Sequence, residues 1–282
     1  MEIAKHHFVF GLPFLLLIQA STAQKNPASP SSLVTSPRPL VDASRRLQET
    51  YGKVVTYEEP LLTWRGDLAA QPGWNPDKSA LYPVVQSFFM PESGPGTDLA
   101  NVLENTIAVY HQQTSGTRFQ VLSSTLGYHI VPVLGHDEGG RLVPTGSVLD
   151  QIVTVPSEAR SAMQHLRALG EAISKSGPIR VVVSAVPAKP DGFDRAFHAQ
   201  PGVFPWGAYS AVARDALIDL LNQSATTFSW RLMCQASAQA SDRFCVLNMG
   251  AIEVTVTDSQ GKDAKRVLWY DRCRNCSPDE IP

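Results

Sequence analysis

The sequence lacks an excess of charge of either sign. Its 282 residues carry 24 Lys and Arg against 26 Asp and Glu, which gives a formal net charge of −2. The basic residues also form no cluster. A nucleic-acid surface needs Lys and Arg gathered on one face, and an anionic membrane attracts a polybasic run. We therefore expect neither nucleic acid nor an anionic membrane surface as a partner.

Sequence signatures of common catalytic chemistries are also missing. There is no G-x-S-x-G nucleophile elbow, no H-E-x-x-H zinc motif and no phosphate-binding loop. One S-x-x-K spacing, from Ser259 to Lys262, lies in the turn-like segment TDSQGKD without the motifs that accompany such a nucleophile. We therefore predict that the protein is not an enzyme, has no catalytic residues and needs no cofactor.

The segment GHDEGG, residues 135–140, is the most suggestive polar cluster. His136, Asp137 and Glu138, together with His129, are residue types that bind metals. Consecutive residues of a strand cannot all point at one ion, however, and glycines beside charged residues are typical of solvated turns. We predict an exposed hairpin turn with no metal, where replacing His136 by Ala changes stability little. A hydrolase using His129, His136 and Asp137 is the enzymatic alternative.

Long apolar runs are absent apart from one at the N-terminus. In MEIAKHHFVFGLPFLLLIQASTAQ, Lys5 precedes an apolar stretch from Phe8 to Ile18. That stretch is about ten residues long, whereas a membrane-spanning helix needs roughly twenty. The small residues Ser21 and Ala23 follow, at positions that export proteases accept. We predict a cleaved signal peptide over residues 1–23.

This signal peptide predicts an exported protein, periplasmic or extracellular, with no integral membrane segment after cleavage. The residues that follow, 24–37, are rich in Pro and Ser and are predicted to be a disordered linker.

Cysteine is scarce and confined to the C-terminal part of the chain. In an oxidising compartment an even number of cysteines implies disulfides. The segment QASAQASD lies between two apolar runs and is typical of a hairpin turn, so we favour the pairing Cys234–Cys245. The rival pairings join one of these residues to Cys273 or Cys276. A zinc site built from all four thiolates is an alternative whose ligand spacing is poor.

Apolar residues at helical spacing predict four helices, each followed by a strand. The helices are predicted at about 39–51, 97–114, 158–175 and 209–224, with Ser157 as the cap of the third. The strands are predicted at 53–57, 118–122, 179–186 and 227–233. Hairpin partners at 128–134 and 244–250 follow the second and fourth strands. The chain therefore has the order helix–strand, helix–strand–strand, and then the same order again.

Two segments carry a resemblance to a known family. PLVDASRRLQETYGKVVTYEEPLL resembles the first half of the short N-terminal domain of secretins and TonB-dependent receptors, where an A-x-x-x-L helix leads into a strand rich in Val and Tyr. LANVLENTIAVYHQQTSGTRFQVLSSTLGYHIVPVL is similar to its second half, a Leu-rich helix followed by a β-hairpin. Residues 158–250 resemble a second, more divergent copy. In the family this domain precedes an outer-membrane barrel or pore, which we do not expect here.

The resemblance and the repeated order together predict an α+β fold of two small modules. The modules cover residues 38–140 and 147–257, and each has two helices packed on a short mixed or antiparallel sheet. A C-terminal strand and a Cys-containing tail follow over residues 258–282. The resemblance implies a periplasmic module that meets other proteins, so we predict an exported, non-enzymatic protein-interaction module of the bacterial cell envelope.

The predicted partner is an unidentified envelope or secreted protein. The segment 187–209 is rich in Pro, Gly and aromatic residues, and long loops of this kind are often functional. We therefore predict Phe204, Trp206 and Tyr209 as contact residues. The alternative function is binding of a small ligand in a pocket lined by Trp64, Trp74, Phe204 and Trp206.

Overall fold

The computed structural model describes residues 32–62, 64–70, 81–91, 96–186, 202–224, 226–235, 243–257 and 263–267. These residues form four α-helices and more strand than helix, so the predicted mixture of helices and strands is confirmed. The helices are α1 (Pro39–Tyr51), α2 (Leu99–Gln113), α3 (Ala162–Ser176) and α4 (Ala213–Leu221). Short 3-10 turns lie at Arg65–Asp67 and Val148–Asp150.

The strands are numbered in chain order. They are β1 (Ser32–Ser36), β2 (Val54–Glu58), β3 (Leu68–Ala70), β4 (Leu81–Pro83), β5 (Gln86–Met90), β6 (Arg118–Ser123), β7 (Gly127–His136), β8 (Leu142–Pro144), β9 (Ile152–Arg160), β10 (Arg180–Val186), β11 (Phe204–Val212), β12 (Phe228–Cys234), β13 (Phe244–Ala251), β14 (Glu253–Thr257) and β15 (Asp263–Val267). None of the described helices is both long and apolar enough to cross a membrane.

A seven-stranded mixed sheet contains strands from both halves of the chain. Its order is β10-β13-β12-β2-β7-β6, with β8 beside β7. Strands β12 and β2 run parallel where the halves meet, and their register pairs Arg231 with Tyr57 and Leu232 with Glu58. Just beyond this register, the N–H of Glu59 donates to the carbonyl of Leu232 at 3.0 Å. We call this parallel contact the joint.

The two halves repeat one pattern of strand pairing. In the first half, β1 pairs antiparallel with β5, while β7 lies parallel to β2 and antiparallel to β6. In the second half, β9 pairs antiparallel with β11, while β13 lies parallel to β10 and antiparallel to β12. The division into two modules stays a prediction, because one sheet joins both halves.

Two buried clusters lie on opposite faces of the large sheet. Successive side chains of a strand point to opposite faces, and β2 shows this directly. Val55 and Tyr57 pack with α1 and α2, whereas Val54 packs with the cluster that contains α3 and α4. The helices of the first half therefore cover one face, and those of the second half cover the other.

Local sequence explains how two of the helices begin or end. Helix α1 ends at Gly52, which has a positive φ of 59° and donates its N–H to the carbonyl of Gln48. Helix α3 follows Ser161, which forms a reciprocal capping box with Gln164. The predicted cap Ser157 is wrong, because that residue lies within β9.

Three of the sequence-based boundaries differ from the structure because of strand pairs that the sequence did not reveal. Strand β1 falls inside the predicted linker 24–37, and its buried Val34 lies opposite Phe88 of β5. Pairing of β9 with β11 places Val212 opposite Ile152. The third and fourth helices therefore begin at Ala162 and Ala213, later than predicted.

The predicted disulfide Cys234–Cys245 is confirmed. The two cysteines are direct cross-strand partners in the β12–β13 hairpin, with their Cα atoms 3.9 Å apart. Both are buried in the second-half cluster. The other two cysteines, Cys273 and Cys276, and the predicted signal peptide lie outside the described residues.

Replacing Cys234 and Cys245 together by Ala should destabilise the protein by up to about 3 kcal/mol, because the bond closes a short loop in the unfolded chain. Urea unfolding of the oxidised wild type and of the double variant measures the difference in unfolding free energy. Reductant should lower the stability of the wild type and leave the variant unchanged. Equal stability of the two oxidised proteins would contradict this expectation.

Candidate functional site: the joint and its groove

Two consecutive carboxylates at the end of β2 fasten the joint. Glu58 is fully buried and points to the face covered by the second-half helices. Its Oε1 accepts from Nε of Arg214 and its Oε2 from Nη2, both at 2.7 Å. Arg214 lies in the first turn of α4 and also contacts Asp150 at 2.7 Å. Burial opposes the charge of Arg214, but Glu58 and Asp150 raise the pKa of the guanidinium above its ordinary value.

Glu59 points to the opposite face and makes a second buried ion pair. Its carboxylate accepts from Nε of Arg38 at 2.9 Å and from the N–H of Cys234 at 2.8 Å. Arg38, which precedes α1, also donates to the carbonyl of Cys234 at 3.2 Å. Glu59 therefore connects the start of the first helix, the end of β2 and the disulfide of the second half.

A groove of about 340 Å³ lies beside this second ion pair. One wall comes from β4, and the floor comes from β12, β13 and the residues next to the disulfide. Most of the lining is apolar, with polar groups from Arg38, Gln235 and Asn248. The lining residues are Arg38, Leu81, Tyr82, Pro83, Met233, Cys234, Gln235, Phe244, Val246 and Asn248. A cavity of this size suits a small molecule.

His129 is a buried histidine of β7, the first-half strand that lies next to β2. Its Nδ1 lies 2.9 Å from Oγ1 of Thr56, and its Nε2 lies 2.7 Å from Oγ of Ser124. Its ring stacks on Trp230 of β12, with the centroids 4.9 Å apart. Burial, and then the charge of Arg214, lower the pKa of His129 to about 4. The imidazole is therefore neutral at neutral pH and serves as packing and hydrogen-bonding surface between the halves.

The three residues of the hydrolase alternative, His129, His136 and Asp137, each contact different partners. His136 lies seven residues beyond His129 on β7, about 23 Å along an extended strand. Its Nδ1 contacts Oδ2 of Asp67 at 2.8 Å, and its ring packs on Trp64. Asp137 accepts from Arg141. In the part of the chain that the structure describes, no three His, Cys, Asp or Glu side chains come together as metal ligands.

The turn at 135–140 has the predicted hairpin form but not the predicted exposure at His136. Strand β7 pairs antiparallel with β8, and Gly140 turns the chain with a positive φ of 79°. A Cβ at Gly140 would lie 2.6 Å from the ring of Trp64. The His136 side chain is only 7 % exposed. The exposed position predicted for His136 is therefore wrong, and the structure leads us to expect that His136→Ala lowers stability, because the change removes a buried hydrogen bond and a ring contact.

The predicted contact residues Phe204, Trp206 and Tyr209 have different environments. Phe204 and Trp206 are buried in the second-half cluster and pack on His165. Nε1 of Trp206 donates to Asp219 at 2.9 Å. Tyr209 is 87 % exposed, next to Ser210 with its positive φ of 48°. The predicted ligand pocket also included Trp64 and Trp74. Trp64 packs on His136, whereas Phe204 and Trp206 pack on His165. Trp74 lies outside the described residues.

No family model, curated protein or solved structure matches this chain.

Sequence reasoning missed Arg38, Glu58, Glu59 and Arg214, the residues that fasten the joint. One available signal was the pair of consecutive glutamates in VVTYEEPLL, where carboxylates directly follow a strand with little other charge.

Replacing Arg214 by Met should destabilise the protein by about 3–5 kcal/mol, since it leaves the Glu58 carboxylate buried and unpaired. Chemical denaturation measures the change. Removing both charges with Glu58→Leu and Arg214→Met should restore much of the loss. The matched control is Arg45→Met, which breaks an exposed pair with Asp42 and should cost no more than about 1 kcal/mol. A similar loss in Arg214→Met and Arg45→Met would contradict the central role of the joint.

Acid should weaken the fold through His129. Its pKa is about 4 in the folded chain against an ordinary value of 6.5, so the unfolded chain binds more protons between these values. The stability from neutral His129 is complete above pH 6.5 and is lost as the pH falls toward 4. Over this range the wild type should lose about 3 kcal/mol more than His129→Asn, measured by urea unfolding at stepped pH.

The comparison isolates His129 because both proteins retain His165, whose pKa burial also lowers. Parallel pH profiles for the two proteins would show that His129 does not titrate with folding.

Proposed function

We propose that this chain is an exported, non-enzymatic protein-interaction module of the bacterial cell envelope. It is built from two tandem copies of an α+β unit that resembles the N-terminal domain of secretins and TonB-dependent receptors. The repeated pairing pattern supports this proposal, because each half has an antiparallel strand pair, two helices and three mutually paired strands of the large sheet in the same order, with β8 as the seventh strand beside β7.

The joint is the observation that carries the proposal. Strand β12 adds in parallel to the edge of β2, so the first unit already accepts an added strand on that edge. The counterpart of β2 in the second unit is β10, which likewise lies parallel to the second strand of its hairpin. Among the described residues β10 ends the large sheet, so the same kind of edge is open there. Strand addition is a common mode of peptide recognition.

On each end strand of the large sheet, side chains accept hydrogen bonds from only some of the backbone N–H groups. The N–H of Val181 in β10 donates to Oγ of Ser174 at 2.8 Å. At the other end of the sheet, the N–H of Phe119 in β6 donates to Nε2 of His111 at 2.9 Å. Val182 of β10 is 37 % exposed. We propose that an extended segment of a partner protein pairs with β10 beyond Val181.

Binding of a small ligand is the second candidate function. The groove of about 340 Å³ beside Arg38 and Glu59 favours it, since the apolar lining and few polar groups match those of small-molecule sites. This site replaces the pocket of four aromatic residues that the sequence suggested. The two functions use different surfaces and do not exclude each other.

A photo-crosslinking amino acid at Val182 of the full chain, in cells of the source organism, tests the strand-addition surface. We expect a crosslinked partner from position 182 and none from the control position Arg167, an exposed residue of α3. Val182→Lys should abolish the crosslinked complex when the probe is at a neighbouring edge residue, without loss of stability. Equal crosslinking from both probe positions, or from neither, would contradict the proposal. Mass spectrometry of the secreted or periplasmic chain tests export, with a new N-terminus expected near Gln24.

A further inference from the structure

The start of β10 repeats a hydrogen bond found at the start of β2. The N–H of Val55 in β2 donates to Oε1 of Gln48 in α1 at 3.4 Å, and the N–H of Val181 in β10 donates to Oγ of Ser174 in α3 at 2.8 Å. In both halves the acceptor lies seven residues before the donor, on the helix that precedes the strand. Val181 is therefore the counterpart of Val55.

In β2, the backbone groups that follow Val55 on the same side bind β12. Backbone N–H groups of alternate residues point to the same side of a strand, so Val55 is followed on this side by Tyr57 and Glu59. Tyr57 lies within the parallel register with β12, and the N–H of Glu59 donates to the carbonyl of Leu232 at 3.0 Å. The added strand thus begins to pair directly after the N–H that the helix side chain has taken.

In β10, the corresponding groups are those of Val183 and Ala185. They follow Val181 on the side away from β13, as Tyr57 and Glu59 follow Val55 in β2. Among the described residues no strand lies on that side, because β10 ends the large sheet. The position at which β2 binds β12 is therefore open on β10.

The two strands differ in charge at this position. The carboxylates of Glu58 and Glu59 in β2 are buried, and each is paired with an arginine. Ser184 and Ala185 occupy the counterpart positions in β10 and carry no charge. A charged side chain on a strand added there would lose water without gaining a counter-ion from these residues, which is costly. The edge of β10 therefore favours an uncharged segment.

The side chains beside the edge of β10 are apolar on both faces of the sheet. On one face the exposed Val182 forms a cross-strand row with Val246 of β13 and Met233 of β12. On the other face Val183 packs against the second-half cluster. Neighbouring side chains on adjacent strands stabilise a sheet when they pack on each other. Apolar residues opposite Val182 and Val183 would extend the packing on both faces.

We propose that β10 binds an extended, uncharged and mostly apolar segment of a partner protein, which runs parallel to β10 as β12 runs parallel to β2. The N–H groups of Val183 and Ala185 donate to the carbonyls of the segment residues opposite Val182 and Ser184. This inference rests on the proposed strand-addition function and adds the direction, the register and the chemistry of the partner segment.

Photo-crosslinking from two positions of the full chain, in cells of the source organism, tests the direction. Arg180 and Ser184 are alternate residues on one face of β10, about 13 Å apart for four residues at about 3.3 Å each. Mass spectrometry of the crosslinked peptides identifies the partner residue that each probe reaches. We expect one uncharged segment, reached about four residues nearer its C-terminus from position 184 than from position 180.

The outcomes separate this inference from the function on which it rests. Contact sites that move toward the N-terminus of the segment would overturn the parallel direction, and a charged residue between the two sites would overturn the chemistry. Crosslinking to a second copy of this chain would overturn the choice of partner. Absence of any crosslinked protein from both positions would instead contradict the strand-addition function itself.

Ala185→Pro tests the register, because proline removes the N–H that the partner segment needs. The matched control Ala185→Thr keeps this N–H. With the probe at Val182, we expect about tenfold less crosslinking in Ala185→Pro than in Ala185→Thr. Urea unfolding midpoints close to that of the wild type would show that both variants are folded, and the direction test needs neither of them. Undiminished crosslinking in a folded Ala185→Pro variant would overturn the register.

Discussion

The fold depends on two carboxylates that stand side by side at the end of one short strand. Glu58 and Glu59 point to opposite faces of the sheet, so each reaches a different half of the chain. Burying a charge is costly unless its partner and hydrogen bonds are in place. The two pairs are therefore weak evidence for stability as such, but they penalise other registers of β12 on β2. A shift by one residue would turn each carboxylate to the wrong face.

The rest of the joint is arranged around these pairs. The main chain of Cys234 bonds both partners of the Arg38–Glu59 pair, and the disulfide fixes Cys234 against β13. On the other face, His129 stacks on Trp230 beside the Arg214 charge that lowers its pKa. Backbone, covalent and ring contacts thus converge on the few residues where the halves meet. The groove opens where this packing ends, between β4 and the β12–β13 hairpin.

Much of the architecture could be predicted from the sequence, and the exceptions have one physical origin. Helical spacing found α1 within a residue, and the small-residue turn QASAQASD located the β12–β13 hairpin with its disulfide. Both are local signals. Strands β1, β9 and β11 owe their form to partners far along the chain, which periodicity does not reveal. The same holds for the site, because Glu58 and Arg214 lie 156 residues apart in the chain and meet only in the folded structure.

The joint is also an asymmetric contact. It unites two different strands, β12 of the second half and β2 of the first half, so it is a heterologous contact, of the kind that in separate subunits propagates into rings or filaments. The strands left at the two ends of the sheet, β6 and β10, are the counterparts of that same pair. Neither end strand carries a carboxylate, since their sequences are RFQVLS and RVVVSAV. The charges that fasten the internal joint thus have no counterpart on the strands at the ends. A strand that adds to either of these ends would therefore meet no carboxylate on the strand itself that sets its register, as Glu58 sets the register of β12 on β2.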